Sequence, residues 1–244
     1  KRDTPLVYDY TGFVQAQQEM ELKAQVSGQI TAKYFKGGDN VSAGQTLYAI
    51  DQRTYQANVL NAQAGLANAR AALANAALNA ERYSTLYAQN AISKQVLDNA
   101  IMQRDQAQAS VNAQEAILEN AQINMTDTSV SAPFSGRIDT TALEVGNYVT
   151  AGQTTLAKIS NTDPVFVQFS IAEPEYLKLS GSHDNSGAAS LDNLTVVLSD
   201  GSTYDLKGTV AEVNRGINDN TGTMTVKALF RNPAHRLLPG MFAH

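Results

Sequence analysis

The chain carries one segment twice, and the distance between the two copies constrains the fold more than any other feature. Gly28, Ile30, Gly38, Val41, Ala43, Gly44, Gln45 and Thr46 recur as Gly136, Ile138, Gly146, Val149, Ala151, Gly152, Gln153 and Thr154, at a constant offset of 108. One extra threonine then precedes Leu156. Each copy, of about 25 residues, reads as short strands punctuated by glycine turns, with the glycines expected where φ must be positive. A unit of that size cannot hold a core of its own. The copies are therefore expected to pack on each other and to extrude whatever lies between them.

What lies between them is helical. From Asp51 to Thr126 there is no proline, one glycine (Gly65) and alanine at 19 positions, a composition with strong summed helix propensity. Val59, Ala62, Leu66, Ala69, Leu73, Ala76, Ala80, Tyr83 and Tyr87 fall at alternating steps of three and four, the seam of a coiled coil. A second register runs Leu97, Ala100, Arg104, Ala107, Val111, Gln114, Leu118, Ala121, Met125. Between the registers, Asn90 can take the left-handed conformation that ends a helix and Ser93 can cap the next. The spacing predicts two antiparallel helices joined by a tight bend, roughly 55 and 48 Å long at 1.5 Å per residue. Asp51 is expected to cap the first helix.

The flanks read as β structure. Residues 6–23 are rich in strand formers and break at Gly12, and 164–171 alternate as a strand. Residues 173–179 read as a short helix and 180–190 as a glycine- and serine-rich loop. Asp200-Gly201 is a hairpin turn between strands at 194–198 and 203–206. Further strands at 209–213 and 223–230 flank a polar turn at 218–222. Several short antiparallel strands with one helix predict a small β-barrel, joined by the strand near residues 7–20. The chain reaches His244 in the middle of an apparent strand, so its natural end is expected further on.

The remaining composition excludes more than it assigns. A net charge of −5 without a long basic run gives no support to nucleic-acid binding. With no cysteine there are no disulfides or thiolate metal sites, and His183, His235 and His244 lack metal-ligand spacing. No stretch of 18 apolar residues is present, and residue 1 reads as a mature or trimmed start without a signal peptide. Glu115 and Glu119 share a helix face with no acid, base or nucleophile beside them, and no phosphate loop, nucleophile elbow or Ser/His/Asp arrangement appears. We read the chain as non-enzymatic, without catalytic, metal or cofactor residues.

A duplicated strand-turn module resembles the lipoyl/biotinyl carrier fold. Carriers are modified on a lysine at the hairpin between the halves; here that junction holds the helices, and Lys33, Lys36 and Lys158 lie elsewhere. The sequence thus reads as α+β, elongated and multidomain: an antiparallel coiled-coil hairpin (52–126) inserted in a lipoyl-like sandwich (24–51 plus 127–160), followed by a β-barrel (6–23 plus 161–244).

Local strings carry a closer resemblance: Val26-Ser27-Gly28, the Ala43-Gly44 turn, Leu47 to Asp51 entering the first helix, Ser131-Ala132-Pro133 before Ser135-Gly136-Arg137-Ile138, and Leu237-Leu238-Pro239-Gly240-Met241. With the hairpin-split sandwich and the barrel, they resemble the periplasmic adaptor (membrane fusion) proteins of RND-type tripartite efflux pumps, AcrA/MexA type. The family's Arg-x3-Leu-x6-Ser docking pattern is matched by Arg82, Leu86 and Ser93. The resemblance implies docking of the hairpin tip on an outer-membrane TolC-like channel, and of the barrel on an inner-membrane RND transporter. It further implies assembly into a ring, a hexamer in the family, and a periplasmic location in a Gram-negative bacterium. A membrane-proximal domain beyond His244 and a lipid or segment anchor before Lys1 are also implied. On spacing alone, Arg82 reads rather as a surface arginine whose stem covers Leu86; the family resemblance reverses this. The amides Asn58, Asn61, Gln63, Asn68, Asn75 and Asn79, in a stretch charged only at Arg70, serve either solubility or lateral packing of neighbouring hairpins. Two alternatives stay open: an adaptor for an ABC-type exporter or type I secretion system, and a lysine-modified carrier.

Overall fold

The computed structural model describes residues 9–139, 142–175, 194–214, 216–217 and 221–244. The first repeat contributes β3 (Gly28–Lys33), β4 (Asn40–Val41) and β5 (Thr46–Ile50). The second contributes β7 (Gly136–Ile138), β8 (Tyr148–Val149) and β9 (Thr155–Ser160). Ahead of each repeat runs one more strand, β2 (Glu19–Lys23) and β6 (Ser129–Ser131). The two sheets of the sandwich have the orders β2-β9-β7-β4 and β6-β5-β3-β8. Each sheet therefore mixes strands from both halves, and neither half can fold without the other.

The interlock is a pseudo-twofold written in backbone bonds. Gly28 pairs with Val149 on one side and Gly136 with Val41 on the other. Ile30 N donates to Asn147 O at 2.9 Å and Ile138 N to Asp39 O at 3.0 Å. Gly44 N donates to Ala132 O and Gly152 N to Ala24 O, both at 2.8 Å. Two serines complete the exchange: Ala43 N donates to Ser135 Oγ and Ala151 N to Ser27 Oγ, each at 2.9 Å. The core between the sheets holds Ile30, Leu47, Tyr48, Ile50, Ile138, Leu156 and Ile159, all nearly inaccessible to solvent. At about 1.5–3 kcal/mol per fully buried side chain, this shared core is the main stabilising term.

The glycine expectation holds at two of its three repeat positions. Gly38 and Gly146 (φ 88 and 99) and Gly44 and Gly152 (φ 79 and 71) are left-handed turn residues. Gly28 and Gly136 are strand residues instead, required by close approach: a Cβ at Gly136 would lie 2.5 Å from the Ser160 carbonyl oxygen.

The barrel is built on the sheet β11-β12-β10-β1-β13. Its strands are β1 (Gly12–Ala16), β10 (Val165–Ala172), β11 (Thr209–Val213), β12 (Thr223–Phe230) and β13 (Phe242–Ala243). Single bridges Leu198–Ala243, Val197–Thr203 and Leu194–Gly208 carry the pairing around to the start of β11. The stretches expected as strands at 194–198 and 203–206 make only these bridges. Val14, Val167, Val196, Tyr204, Val226 and Phe230 fill the interior. Of the expected helix at 173–179, residues 173–175 are helical; its remainder, the loop at 180–190 and part of the turn at 218–222 lie outside the described residues.

One boundary differs from the sequence reading, which placed all of 6–23 with the barrel. The strand breaks at Gln17 and Gln18; β1 pairs with β10 in the barrel, whereas β2 pairs with β9 in the sandwich. Alternation along the strand marks a buried face, but not which body buries it. The return crossing is fixed to the barrel by the buried Asn232, whose Nδ2 donates to the carbonyls of Thr162 and Leu237 at 2.8 Å each.

Because Ser27 and Ser135 make the same bond across the pseudo-twofold, Ser27→Ala and Ser135→Ala should each destabilise the chain by about 0.5–1.5 kcal/mol. Urea unfolding checks this, and the two losses are expected to match.

Candidate functional site: the hairpin and its tip

Between β5 and β6 the chain leaves the sandwich as α1 (Arg53–Ala88) and returns as α2 (Lys94–Thr126), helices of 36 and 33 residues. At 1.5 Å per residue they span roughly 54 and 50 Å. The seam residues Val59, Ala62, Leu66, Ala69, Ala80, Ala100 and Val111 are buried. Leu66, Ala69 and Val111 form the tightest cluster, with Leu73 and Leu118 against it. Gly65 has its place here: a Cβ would come within 2.8 Å of Gln114 Oε1, so the glycine makes room for an amide in the seam. Arg104, in the seam register, stays exposed and pairs with Asp105 at 2.7 Å. Glu115, one of the two carboxylates on a helix face, is bound across the hairpin by Arg70 at 2.8 Å.

The roots of both helices are anchored to the sandwich. Tyr55 Oη donates to Ser27 O at 2.7 Å, and Ile50 N donates to Thr128 O at 2.8 Å. Asp51 Oδ1 accepts the Arg53 N–H at 3.1 Å while its carboxylate grips the Arg53 guanidinium at 2.6 Å. The helix N-cap position itself falls on Gln52. The guanidinium holds the Asp51 carboxyl down from the ordinary 3.8 to about 2.

At the far end, Asn90 is left-handed, with φ 59. Ala91 N donates to Leu86 O at 2.9 Å and Asn90 N to Tyr87 O at 2.8 Å, the two bonds of a Schellman termination. Ser93 occupies the N-cap of α2 with extended backbone (φ −79, ψ 156), but its hydroxyl makes no cap bond. This corrects the expected side-chain cap: the residue turns the backbone without using its oxygen. Arg82 is exposed, and its Nη1 donates to Asn79 Oδ1 at 3.4 Å. Leu86 is half-buried one turn further on. Arg82 and Leu86 lie one turn apart near the end of α1, and Ser93 lies past the bend at the start of α2. The seam reading missed the exposure of Tyr87, 40% accessible at this end, where the non-seam Val96 is equally exposed. Proximity to the bend was the available signal, since a seam residue loses its cover where the partner helix starts late.

The junction between the halves holds the helices, and two of the sandwich lysines are in ion pairs: Lys33 binds Glu144 at 2.8 Å, and Lys158 pairs with Glu19. Among the described residues no cluster of His, Asp and Glu could hold a metal ion. No described helix is long and apolar enough to cross a membrane.

Comparison with known families decides the lineage. Residues 18–160 match the model described as RND MFP, barrel-sandwich hybrid domain, and 164–244 match RND MFPs, beta-barrel domain. The chain belongs to the RND membrane fusion protein (MFP) family. Within the RND MFPs it is 40% identical over 226 residues to multidrug export protein AcrE of Escherichia coli (strain K12), covering 91% of this chain and 59% of that protein. It is 38% identical over 247 residues to the antibiotic efflux pump periplasmic linker protein ArpA of Pseudomonas putida, covering 98% and 62%. The chain therefore spans about three fifths of the length of these MFP relatives. A MacA-MexA chimeric protein containing the Pseudomonas aeruginosa MexA α-hairpin domain superposes with a TM-score of 0.67 at 28% identity, over 96% of this chain and 75% of that one.

A carboxyl whose pKa is lowered on folding contributes stability above its unfolded pKa and loses it as pH falls through the folded value. Asp51→Asn should therefore lower the unfolding temperature at neutral pH. The gap should close between about pH 4 and pH 2, as thermal melts across that range would record.

Proposed function

We propose that this chain is the hairpin, sandwich and barrel portion of a periplasmic adaptor that links an inner-membrane RND drug exporter to an outer-membrane TolC-like channel. The observation that carries the reading is the hairpin. It is a stiff arm rooted in an interlocked sandwich, ending in an exposed Arg82 beside Leu86 and Ser93, on a chain of RND MFP ancestry. The related proteins named as a periplasmic linker and a multidrug export protein support a periplasmic place in a Gram-negative envelope. Transport of conformational change, rather than catalysis, is the role that fits such an arm.

At the tip, Arg82 would donate charge-assisted bonds to carbonyls or carboxylates of the channel. Leu86 would supply the apolar contact beside it, and the short Ser93 side chain would permit close approach. Copies would stand side by side as a ring, in keeping with an α1 flank that carries amides and exposed Leu60 and Leu78 and, from Thr54 to Ala80, is charged only at Arg70.

Arg82→Asp, introduced into the full-length protein, should abolish co-purification of the channel and efflux in a complementation assay. Helicity by circular dichroism should be unchanged, because Arg82 is exposed and its bond among the described residues is to Asn79 on its own helix. Retained efflux with Asp at this position would overturn the docking assignment.

A further inference from the structure

The hairpin carries its charges on one side. Arg70 stands four residues past the seam residue Leu66 and Glu115 four past Val111, and the two meet across the helices at 2.8 Å. Residues four past such a seam position therefore share one broad face of the hairpin. The opposite face is held by the residues that immediately precede those seam positions, among them Asn79 and Leu86 on α1 and Val96 and Gln103 on α2. Gly65 and Gln114 approach each other across the seam. Three heptads nearer the tip their places are taken by Leu86 and Ser93, so Val96 lies within one turn of the level of Leu86.

The outer rows divide the same way. On the Arg70 face they hold Glu81, Asp98, Asp105 and Glu119, and Lys94 falls in the row of Glu115. The seam residue Arg104 turns its guanidinium to Asp105 at 2.7 Å. On the other face the outer row reads Asn61, Asn68, Asn75 and Arg82 on α1, with Asn99 and Gln106 on α2. Asn79 Nδ2 donates to Asn75 Oδ1 at 3.5 Å and Arg82 Nη1 to Asn79 Oδ1 at 3.4 Å, a line of bonds that keeps the three on that face. Between Thr54 and Met125, Arg82 is the one ionised side chain on this amide face. Beside it near the tip are the half-buried Leu86 and Val96, the latter 40% exposed.

A surface that docks must shed water. Charges resist this unless each finds a partner, whereas amides and apolar groups lose their water at smaller cost. The central parts of protein interfaces are accordingly depleted in charge. We propose that the channel seats against the amide face of the tip alone, with Val96 a contact residue beside Arg82 and Leu86, and that the charged face stays in water. The occupant is the TolC-like channel of the adaptor reading, on which this proposal rests. It meets the face with a surface poor in charge, an acceptor for Arg82 and an apolar contact for Leu86 and Val96.

The test immobilises a purified TolC-like channel in nanodiscs and measures capture of the wild-type full-length protein, of V96E and of D98K. The two substitutions sit close together on α2 but on opposite faces. V96E puts a carboxylate three residues past the N-cap Ser93, a position that suits a helix start, so circular dichroism should show an intact hairpin. N99E, on the same face, replaces V96E should that variant not fold. V96E should bind at least about tenfold more weakly than the wild type, because its charge is brought unpaired into the contact. D98K should stay within about twofold, since an exposed charge outside the contact is worth little. Retained affinity of V96E, or a comparable loss with D98K, overturns the one-sided docking and leaves the adaptor reading in place. Retained capture by V96E with loss of self-association in cross-linking assigns the face to a neighbouring copy and likewise overturns it. Failure of TolC-like channels to capture the wild type removes the adaptor reading itself, and this proposal with it.

Discussion

Everything in this molecule depends on the exchange of backbone bonds between two copies of one strand-turn module. Each copy lends a turn N–H to the serine of the other, and each places an outer strand in the other's sheet. Segments far apart in sequence must therefore meet before either sheet exists. That arrangement carries a high loop-closure cost. The helical insert reduces it, because a hairpin that forms locally brings its two ends together on its own. Once it has done so, β5 and β6 lie side by side and the sandwich can close.

Much of this was legible in the residues. The constant offset of 108 reports a real symmetry, and the extra threonine after Thr154 appears in the register: Ile30 pairs with Ile50, while Ile138 pairs with Ile159. Asn90 was legible because only a few residue types tolerate the left-handed conformation. Three things were not. The division of residues 6–23 between two bodies leaves no trace in an alternating pattern. The hydroxyl of Ser93 has a free choice between backbone and solvent, which composition does not settle. Gly28 and Gly136 look like turn glycines in a string but serve as strand glycines, because the need comes from an atom across the sheet. Of the tip, the sequence pattern marked Arg82, Leu86 and Ser93, while the accessibility of Tyr87 and Val96 depends on where the second helix begins.

The comparison of the halves also shows how a duplicated module diverges. Positions that hold the fold keep their identity: the isoleucines, the turn glycines and the serine pair. Positions on the outer face drift, and they drift differently according to what they look at. Three outer positions of the second half are ionic (Arg137, Asp139, Lys158) where the matching positions of the first are neutral (Gln29, Thr31, Ala49).

Both helices stand on neighbouring strands of a single sheet, since β5 runs into α1 and α2 runs into β6. Both roots of the arm thus rest on one sheet, and a tilt of that sheet is carried into the arm. A tilt of about 5° there sweeps the end of a 54 Å helix through roughly 5 Å, about the rise of one helical turn. Small distortions of a tightly packed body are thereby converted into displacements large enough to reseat one side chain a full turn along a neighbouring helix.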